Sequence, residues 1–137
     1  MQTALDSNIL SSIWSAELSA PRVKQQLIQA RAEGGLVICA PVYVELTAHP
    51  LVMRGVVDRL LKEAGVMVDF VVDEPIWRKT SEAFSSYAHR RRRSGGGTPK
   101  RMLTDFLIAA HASLRADRLF TLDPARYSVD FPSLRLM

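Results

Sequence analysis

The stretch TPKRMLTDFLIAAHASLRADRLFTLDPARY, Thr98 to Tyr127, decides the fold because it sets two carboxylates, Asp105 and Asp123, in apolar surroundings. Thr98 is a good helix N-cap and Pro99 suits the first helical position, so a helix is expected from there to about Arg115. Leu103, Phe106, Leu107, Ile108, Ala109 and Ala110 wrap most of its circumference, as in a helix buried against a sheet. At helical spacing Asp105 shares its face with Ile108, Ala109 and Ala112. An unpaired buried charge is costly, so this acid is either neutralised by a partner or helps to hold a cation. Asp123 follows the β-prone run Arg118-Leu119-Phe120-Thr121-Leu122 and precedes Pro124, which cannot continue a central strand. It is therefore expected at a strand's C-terminal end, where open α/β sheets bind their ligands.

Working outward, 137 residues with 47% apolar and 23% charged content suit one compact domain spanning residues 1–137. The apolar run Leu36 to Val44 is too short for a membrane span and the first residues lack a basic flank, so a cytosolic protein with no membrane partner is expected. The lone cysteine, Cys39, lies within Leu36-Val37-Ile38-Cys39 and reads as a small buried hydrophobe. A net charge of +4 favours an anionic partner, although much of the excess comes from Arg90-Arg91-Arg92-Arg93.

Upstream, Thr3-Ala4-Leu5 is a short strand candidate meeting Asp6-Ser7-Asn8, which reads either as a helix-capping trio or as an acid at a strand end. A helix with Val23, Leu27 and Ala30 inward starts near Ser19 and Pro21 and stops at Gly34-Gly35, before a second buried strand, Leu36 to Cys39. Pro41 opens a short helix to about Ala48 carrying Glu45, an acid on an apolar face that could equally answer the helix macrodipole. Another helix has Met53, Val56, Val57, Leu60, Leu61 and Ala64 in phase. Val66 to Val72 alternates as a strand nearer an edge, and Asp73 with Pro75 begins a long helix expected to run out at His89. The four arginines and Gly95-Gly96-Gly97 beyond it are expected to be mobile and exposed. Leu134-Arg135-Leu136 is a plausible terminal strand. This order argues for helices flanking a mostly parallel sheet, with active groups at one end.

Asp6, Glu45, Asp105 and Asp123 thus each adjoin buried apolar sequence, whereas Glu33, Asp58, Glu63 and Glu82 lie in polar helical surroundings. If the four converge, their repulsion raises proton affinity unless a divalent cation neutralises them, and an all-oxygen set suits Mg²⁺ or Mn²⁺. His49, His89 and His111 are dispersed and make no zinc spacing; His111 reads as a packed histidine. No Gly-rich loop joins a strand to a helix, so nucleotide-binding loops have poor support.

The segments Leu5-Asp6-Ser7-Asn8-Ile9-Leu10, Pro41-Val42-Tyr43-Val44-Glu45-Leu46, Thr104-Asp105-Phe106-Leu107-Ile108-Ala109-Ala110-His111-Ala112 and Leu119-Phe120-Thr121-Leu122-Asp123 together resemble the PIN-domain nucleases, most closely the VapC toxins of toxin–antitoxin pairs. The resemblance covers nearly the whole chain. It implies an α/β fold of three layers, α/β/α, and a metal-dependent endoribonuclease acting on structured RNA such as tRNA or rRNA. It implies catalytic acids at Asp6, Glu45, Asp105 and Asp123, with Asp6, Asp105 and Asp123 as the metal set, Glu45 able to replace Asp123, and Asn8 and Thr121 as polar helpers. It further implies Mg²⁺ as cofactor, a homodimer and a VapB-like antitoxin partner. Ser7 stands where threonine is frequent in the family, which keeps the hydroxyl, and the segment Arg90 to Gly97 is unusually basic.

Three expectations complete the reading. No lysine or histidine is placed as a base, so activation of the attacking water falls to metal and carboxylate. Arg90, Arg91, Arg92 and Arg93 are expected to bind RNA phosphates, the plainer alternative being a solvated charge run. Dimerisation is expected through middle helices bearing Met53, Val57, Trp77, Phe84 and Tyr87. Two other classes stay open: a catalytically silent RNA-binding module, and a metal-dependent phosphatase or phosphotransfer domain with Asp6 as nucleophile, against which Asp6-Ser7-Asn8 lacks the Asp-x-Asp pattern.

Overall fold

A computed structural model of the chain describes residues 1–97 and 101–137. Four strands, β1 (Thr3–Leu5), β2 (Leu36–Cys39), β3 (Val66–Asp69) and β4 (Arg118–Phe120), form an all-parallel sheet in the order β3-β2-β1-β4. The first three are short and largely or wholly apolar, and β1, β2 and β4 are buried at every position, as strands covered on both faces must be. Helices α1 (Ser7–Trp14) and α2 (Ala20–Glu33) link β1 to β2, while α3 (Ala40–Thr47) and α4 (Arg54–Ala64) link β2 to β3. Helices α5 (Glu74–Arg93) and α6 (Leu103–Arg115) lead back across the sheet to β4, and α7 (Ala125–Ser128) follows.

The chain steps outward from β1 to β3 and then returns to β1's other side, so right-handed connections put α5 and α6 on the opposite face from α2 and α4. The result is three layers, α/β/α. The reversal between β1 and β4 opens a crevice at the C-terminal ends of those two strands. Helix α3 meets both α1 and α6 and so lies beside that crevice.

Helix α6 is the best-buried of the helices: every residue from Phe106 to Ala112 is inaccessible or nearly so. Phe106 is its hub, with Phe84, Tyr87 and Phe131 rings 5.1, 5.5 and 6.1 Å away. Its start differs from expectation. Met102 is extended and caps a helix that begins at Leu103, so the chain enters α6 four residues beyond Pro99; Thr98 and Pro99 themselves lie outside the described residues.

Three other expectations change for physical reasons. Strand β3 ends at Asp69 rather than Val72, because the Asp69 carboxylate accepts the Val71 amide at 3.0 Å and turns the chain out of the sheet. Phe70 consequently points outward against Tyr43. The arginine run is helical, not loose. Helix α5 continues through Arg93, Arg90 pairs with Asp130, whose side chain is 2% exposed, and an Arg91 guanidinium N–H donates to the Gly96 carbonyl. Arg92 and Arg93 remain exposed. Of the five side chains expected at a dimer surface, Val57 is in the core and Phe84 and Tyr87 pack around Phe106; Met53 and Trp77 are exposed. The tail is close to expectation: Leu136 bridges Leu119 in parallel, covering the outer edge of β4.

Among the described residues no helix is long and apolar enough to cross a membrane. Cys39, at the C-terminal end of β2, is buried and its thiol is pushed up to about 12 by burial. In the folded protein it should resist iodoacetamide at about pH 8, where an ordinary cysteine is partly ionised. Mass spectrometry should show labelling only after denaturant is added.

Candidate active site

The crevice at the β1/β4 reversal is built around Asp6, the first residue after β1 and itself only 2% exposed. Its amide donates to the Phe120 carbonyl at 3.0 Å, extending the β1–β4 ladder by one rung and fixing where the carboxylate begins. One oxygen, Oδ2, accepts the Tyr127 hydroxyl at 2.8 Å, the Thr121 hydroxyl at 2.8 Å and the Asn8 amide at 3.4 Å. Neutral donors therefore satisfy the buried carboxyl group without bringing a counter-charge to it. The other oxygen, Oδ1, has the Ser7 hydroxyl at a long 3.5 Å, and that hydroxyl donates instead to Glu45 Oε2 at 2.8 Å. Ser7 thereby ties the end of β1 to helix α3.

Asn8 and Thr121 also brace the backbone. Asn8 Oδ1 accepts the Leu122 amide at 3.1 Å, and Thr121 Oγ1 accepts the Asp123 amide at 3.1 Å. The first turn of α1 and the end of β4 are thus locked to one another across the crevice.

Glu45 projects from α3, where the proline-led turn at Pro41 aims it at the crevice rim. Burial pushes its carboxyl above the usual range, Ser7 offsets part of this, and the charges of Asp6 and Asp105 push it further. Asp105 lies in the first turn of α6 with its side chain 16% exposed. Its carboxyl is raised by burial and by Asp6, against the pull of Arg126 and Arg101. Asp6, Glu45 and Asp105 are therefore close enough to feel one another's charge. Asp123 stands apart: its side chain is 45% exposed and turned to Arg126.

Two residues of the short α7 turn were not singled out in the sequence as parts of the site. Tyr127 is fully buried, and its phenol is held far above its ordinary range by burial first and then by the charge of Asp6, so it stays a hydrogen-bond donor. Arg126 reaches Asp105 Oδ1 at 3.4 Å through Nη1 and Asp123 Oδ2 at 3.2 Å through Nε. Burial opposes its charge, but Asp105 and Asp123 make its guanidinium hold the proton more tightly than usual. Neither residue has the apolar-flanked acid pattern that marked the others; the signal available was their position just after Asp123 and Pro124.

Glu45, Arg101, Met102, Thr104, Asp105 and Arg126 line an open cleft of about 330 Å³. Arg101 is held there by an ion pair to buried Asp130 and by its guanidinium carbon 4.9 Å from the Phe106 ring centroid. The carboxylate set has the hard oxygen chemistry that Mg²⁺ or Mn²⁺ takes. Among the described residues, however, no three His, Cys, Asp or Glu side chains are close enough to enclose an ion as they stand. His111, by contrast, is spent elsewhere: its Nε2 lies 2.9 Å from Asp69 Oδ2, joining α6 to the end of β3.

Replacing Tyr127 by Phe removes one donor from a buried carboxylate and nothing else. It should lower the metal-free unfolding free energy by about 1.5–3 kcal/mol, the range for a hydrogen bond to a charged group. Urea denaturation in the presence of a chelator measures this.

The comparisons agree with this architecture. A PIN domain model matches residues 3–132. A search of curated proteins found no match. Among solved structures the chain is similar to VapBC-1 from nontypeable Haemophilus influenzae, with TM-score 0.66 and 22% identity over 100% of this chain and 97% of that one. It is similar also to VapBC2 from Rickettsia felis bound to a DNA fragment from their promoter, with TM-score 0.64 and 17% identity over 100% and 98% of the two chains. FitAcB from Neisseria gonorrhoeae gives TM-score 0.66 and 18% identity over 98% and 96%. At these identities the likeness speaks for the fold, while the family match spans nearly the whole sequence: the chain belongs to the PIN domain family.

Proposed function

We propose that the protein is a Mg²⁺-dependent endoribonuclease, the toxin of a VapBC-type pair, cleaving structured RNA such as tRNA or rRNA in the cytoplasm. The observation that carries this reading is the gathering of Asp6, Glu45 and Asp105 at the β1/β4 crevice, with the Asp6 carboxyl group held by neutral donors. Asp6, Asp105 and Asp123 would hold the metal, with Glu45 as the fourth acid, and Mn²⁺ could substitute. When bound, the ion supplies Lewis-acid polarisation of the phosphoryl oxygen and a lowered pKa for water.

The chain's own residues supply position and charge. Asn8, Thr121 and Tyr127 fix Asp6, and Ser7 holds Glu45 beside it. Glu45 can take a proton at the rim, since burial and its acidic neighbours already raise its affinity for one. Arg101 and Arg126 give the cleft wall positive charge against the incoming phosphate. On the face beyond the catalytic rim, Leu10, Ile13, Trp14, Leu27 and Ile28 line an apolar groove flanked by Lys24 and Arg31. Such a groove suits a partly acidic, amphipathic antitoxin segment, in keeping with the VapBC complexes among the similar structures. Exposed Met53 and Trp77 keep a homodimer surface available.

A catalytically silent RNA-binding module is the second reading, favoured by the open spacing of the acids among the described residues. Metal dependence separates the two. Purified protein should cleave RNA with Mg²⁺ or Mn²⁺ and stop in chelator, and Asp105→Asn should lose more than about a hundredfold in rate with its far-ultraviolet spectrum unchanged. Cleavage by Asp105→Asn at the wild-type rate would remove the assignment.

The arginine run divides under the same reading. Arg92 and Arg93 are exposed, whereas Arg90 is committed to Asp130. Replacing Arg92 and Arg93 together by alanine should flatten the salt dependence of binding to single-stranded RNA by about 0.7 per lost phosphate contact, leaving thermal stability near wild type. Replacing Arg90 should instead lower stability, because buried Asp130 then loses one of the two guanidinium groups paired with it among the described residues.

A further inference from the structure

Arg126 is a cation placed where the metal reading needs one. It reaches both Asp105, which lines the cleft, and the more exposed Asp123, and it belongs to the same four-residue turn as Tyr127. Tyr127 is buried and bonded to Asp6, so the turn itself is anchored and the root of the Arg126 side chain cannot drift. The guanidinium is another matter. Its contacts of 3.4 and 3.2 Å are longer than the 2.7–2.9 Å typical of a tight charge-assisted pair, and the side chain is 40% exposed. It is held by charge more than by geometry and has solvent to swing into.

The acids on their side are incomplete. Asp6, Glu45 and Asp105 repel one another, and their side chains stand too far apart to enclose an ion, with a guanidinium bridging Asp105 and Asp123. Arg118 shows what a settled arginine looks like in the same protein: it is buried, donates to Thr3 Oγ1 at 2.8 Å and pairs closely with Glu33. Among the described residues Arg126 has no comparable fixture.

We infer that the Arg126 guanidinium and a divalent cation are alternative occupants of the gap between Asp105 and Asp123, so that Arg126 is the resident counter-cation of the metal-free protein. The inference rests on the metal reading above and adds a cost to it. Part of the binding energy of each incoming ion goes into displacing the arginine, which sets the affinity lower than the acid set alone would give. Conversely, the metal-free protein is spared uncompensated repulsion among its acids. Once displaced, the guanidinium remains tethered to the anchored turn at the cleft wall, on the side of Arg101.

Calorimetric titration of metal-free wild type, Arg126→Gln and Arg126→Lys with Mg²⁺ and with Mn²⁺ tests the exchange, together with melting in chelator and in saturating Mg²⁺. Arg126→Gln should bind both ions at least about fivefold tighter, the lower end of ordinary coupling between two ligands. It should melt about 3–5 °C below wild type in chelator and close that gap in saturating Mg²⁺. Arg126→Lys, keeping the charge, should bind near the wild-type affinity. Because direct occupancy is short-range, the tighter binding should persist from about 0.1 M to about 1 M KCl, over which the screening length falls from about 10 to about 3 Å. An unchanged affinity in Arg126→Gln, a melting deficit equal with and without Mg²⁺, or a gain abolished by salt each overturns the exchange while leaving the metal reading standing. A wild-type protein that takes up neither ion overturns the metal reading and the exchange with it.

Discussion

The carboxylate of Asp6 sits at the end of β1 under almost complete burial, and three neutral donors from three places in the chain converge on its Oδ2. Removing a charge from water costs several kcal/mol, so the position is tolerable only if those donors are in place together. Asn8 belongs to the first turn of α1, Thr121 to the end of β4 and Tyr127 to the turn beyond it. Holding them together requires β4 to lie beside β1 and the chain after β4 to fold back under the crevice. The parallel β1–β4 pairing, which begins at Thr3 with Arg118 and ends at Leu5 with Phe120, is therefore as much a support for one acid as a part of the sheet.

The opposite wall of the crevice depends on aromatic packing. Phe106 locks α6 against α5 and Phe131, and this sets Asp105, one residue earlier, at the rim. Asp130 lies beside that cluster and gathers Arg90 from the end of α5 and Arg101 from the approach to α6. One buried carboxylate thus clips both ends of the basic segment, and it leaves Arg101 stacked near Phe106 at the cleft. The same two devices recur on the two sides of the site. A buried acid is satisfied first, and the groups that satisfy it are then correctly placed for chemistry.

Charge across the cleft is balanced rather than uniform. Burial and the charge of Asp6 raise the proton affinity of Glu45 and Asp105, and Asp105 adds to that of Glu45, while Arg126 pulls both the other way and Arg101 does so for Asp105. An acidic cluster alone would repel a polyanion, and a basic one alone would not hold a hard cation. Alternation of the two signs within one cleft is what the proposed metal-assisted reaction on a phosphodiester would require.

The sequence by itself determined the layer order and the acids. Buried strands without alternation, helices with a 3.6-residue stripe and acids following β1 and β4 are local patterns, carried by neighbouring residues, and they sufficed to place β1, β2, β4 and the body of α6, with Asp6 after β1, Glu45 on α3, Asp105 on α6 and Asp123 shortly beyond β4. The structure then brought Asp6, Glu45 and Asp105 within electrostatic reach and left Asp123 turned outward to Arg126. What only tertiary structure decided was every feature that depends on a distant partner. Asp130 extends α5 through the arginine run by giving Arg90 a counter-charge 40 residues away, a pairing invisible to a reading that sees four like charges in a row. Tyr127 becomes a support for Asp6 across 121 residues, and Val57, Phe84 and Tyr87 are withdrawn from an apparent outer face because other elements cover them. Periodicity reports which side of an element is apolar; only the packed fold determines what lies against that side, and with it which charges meet.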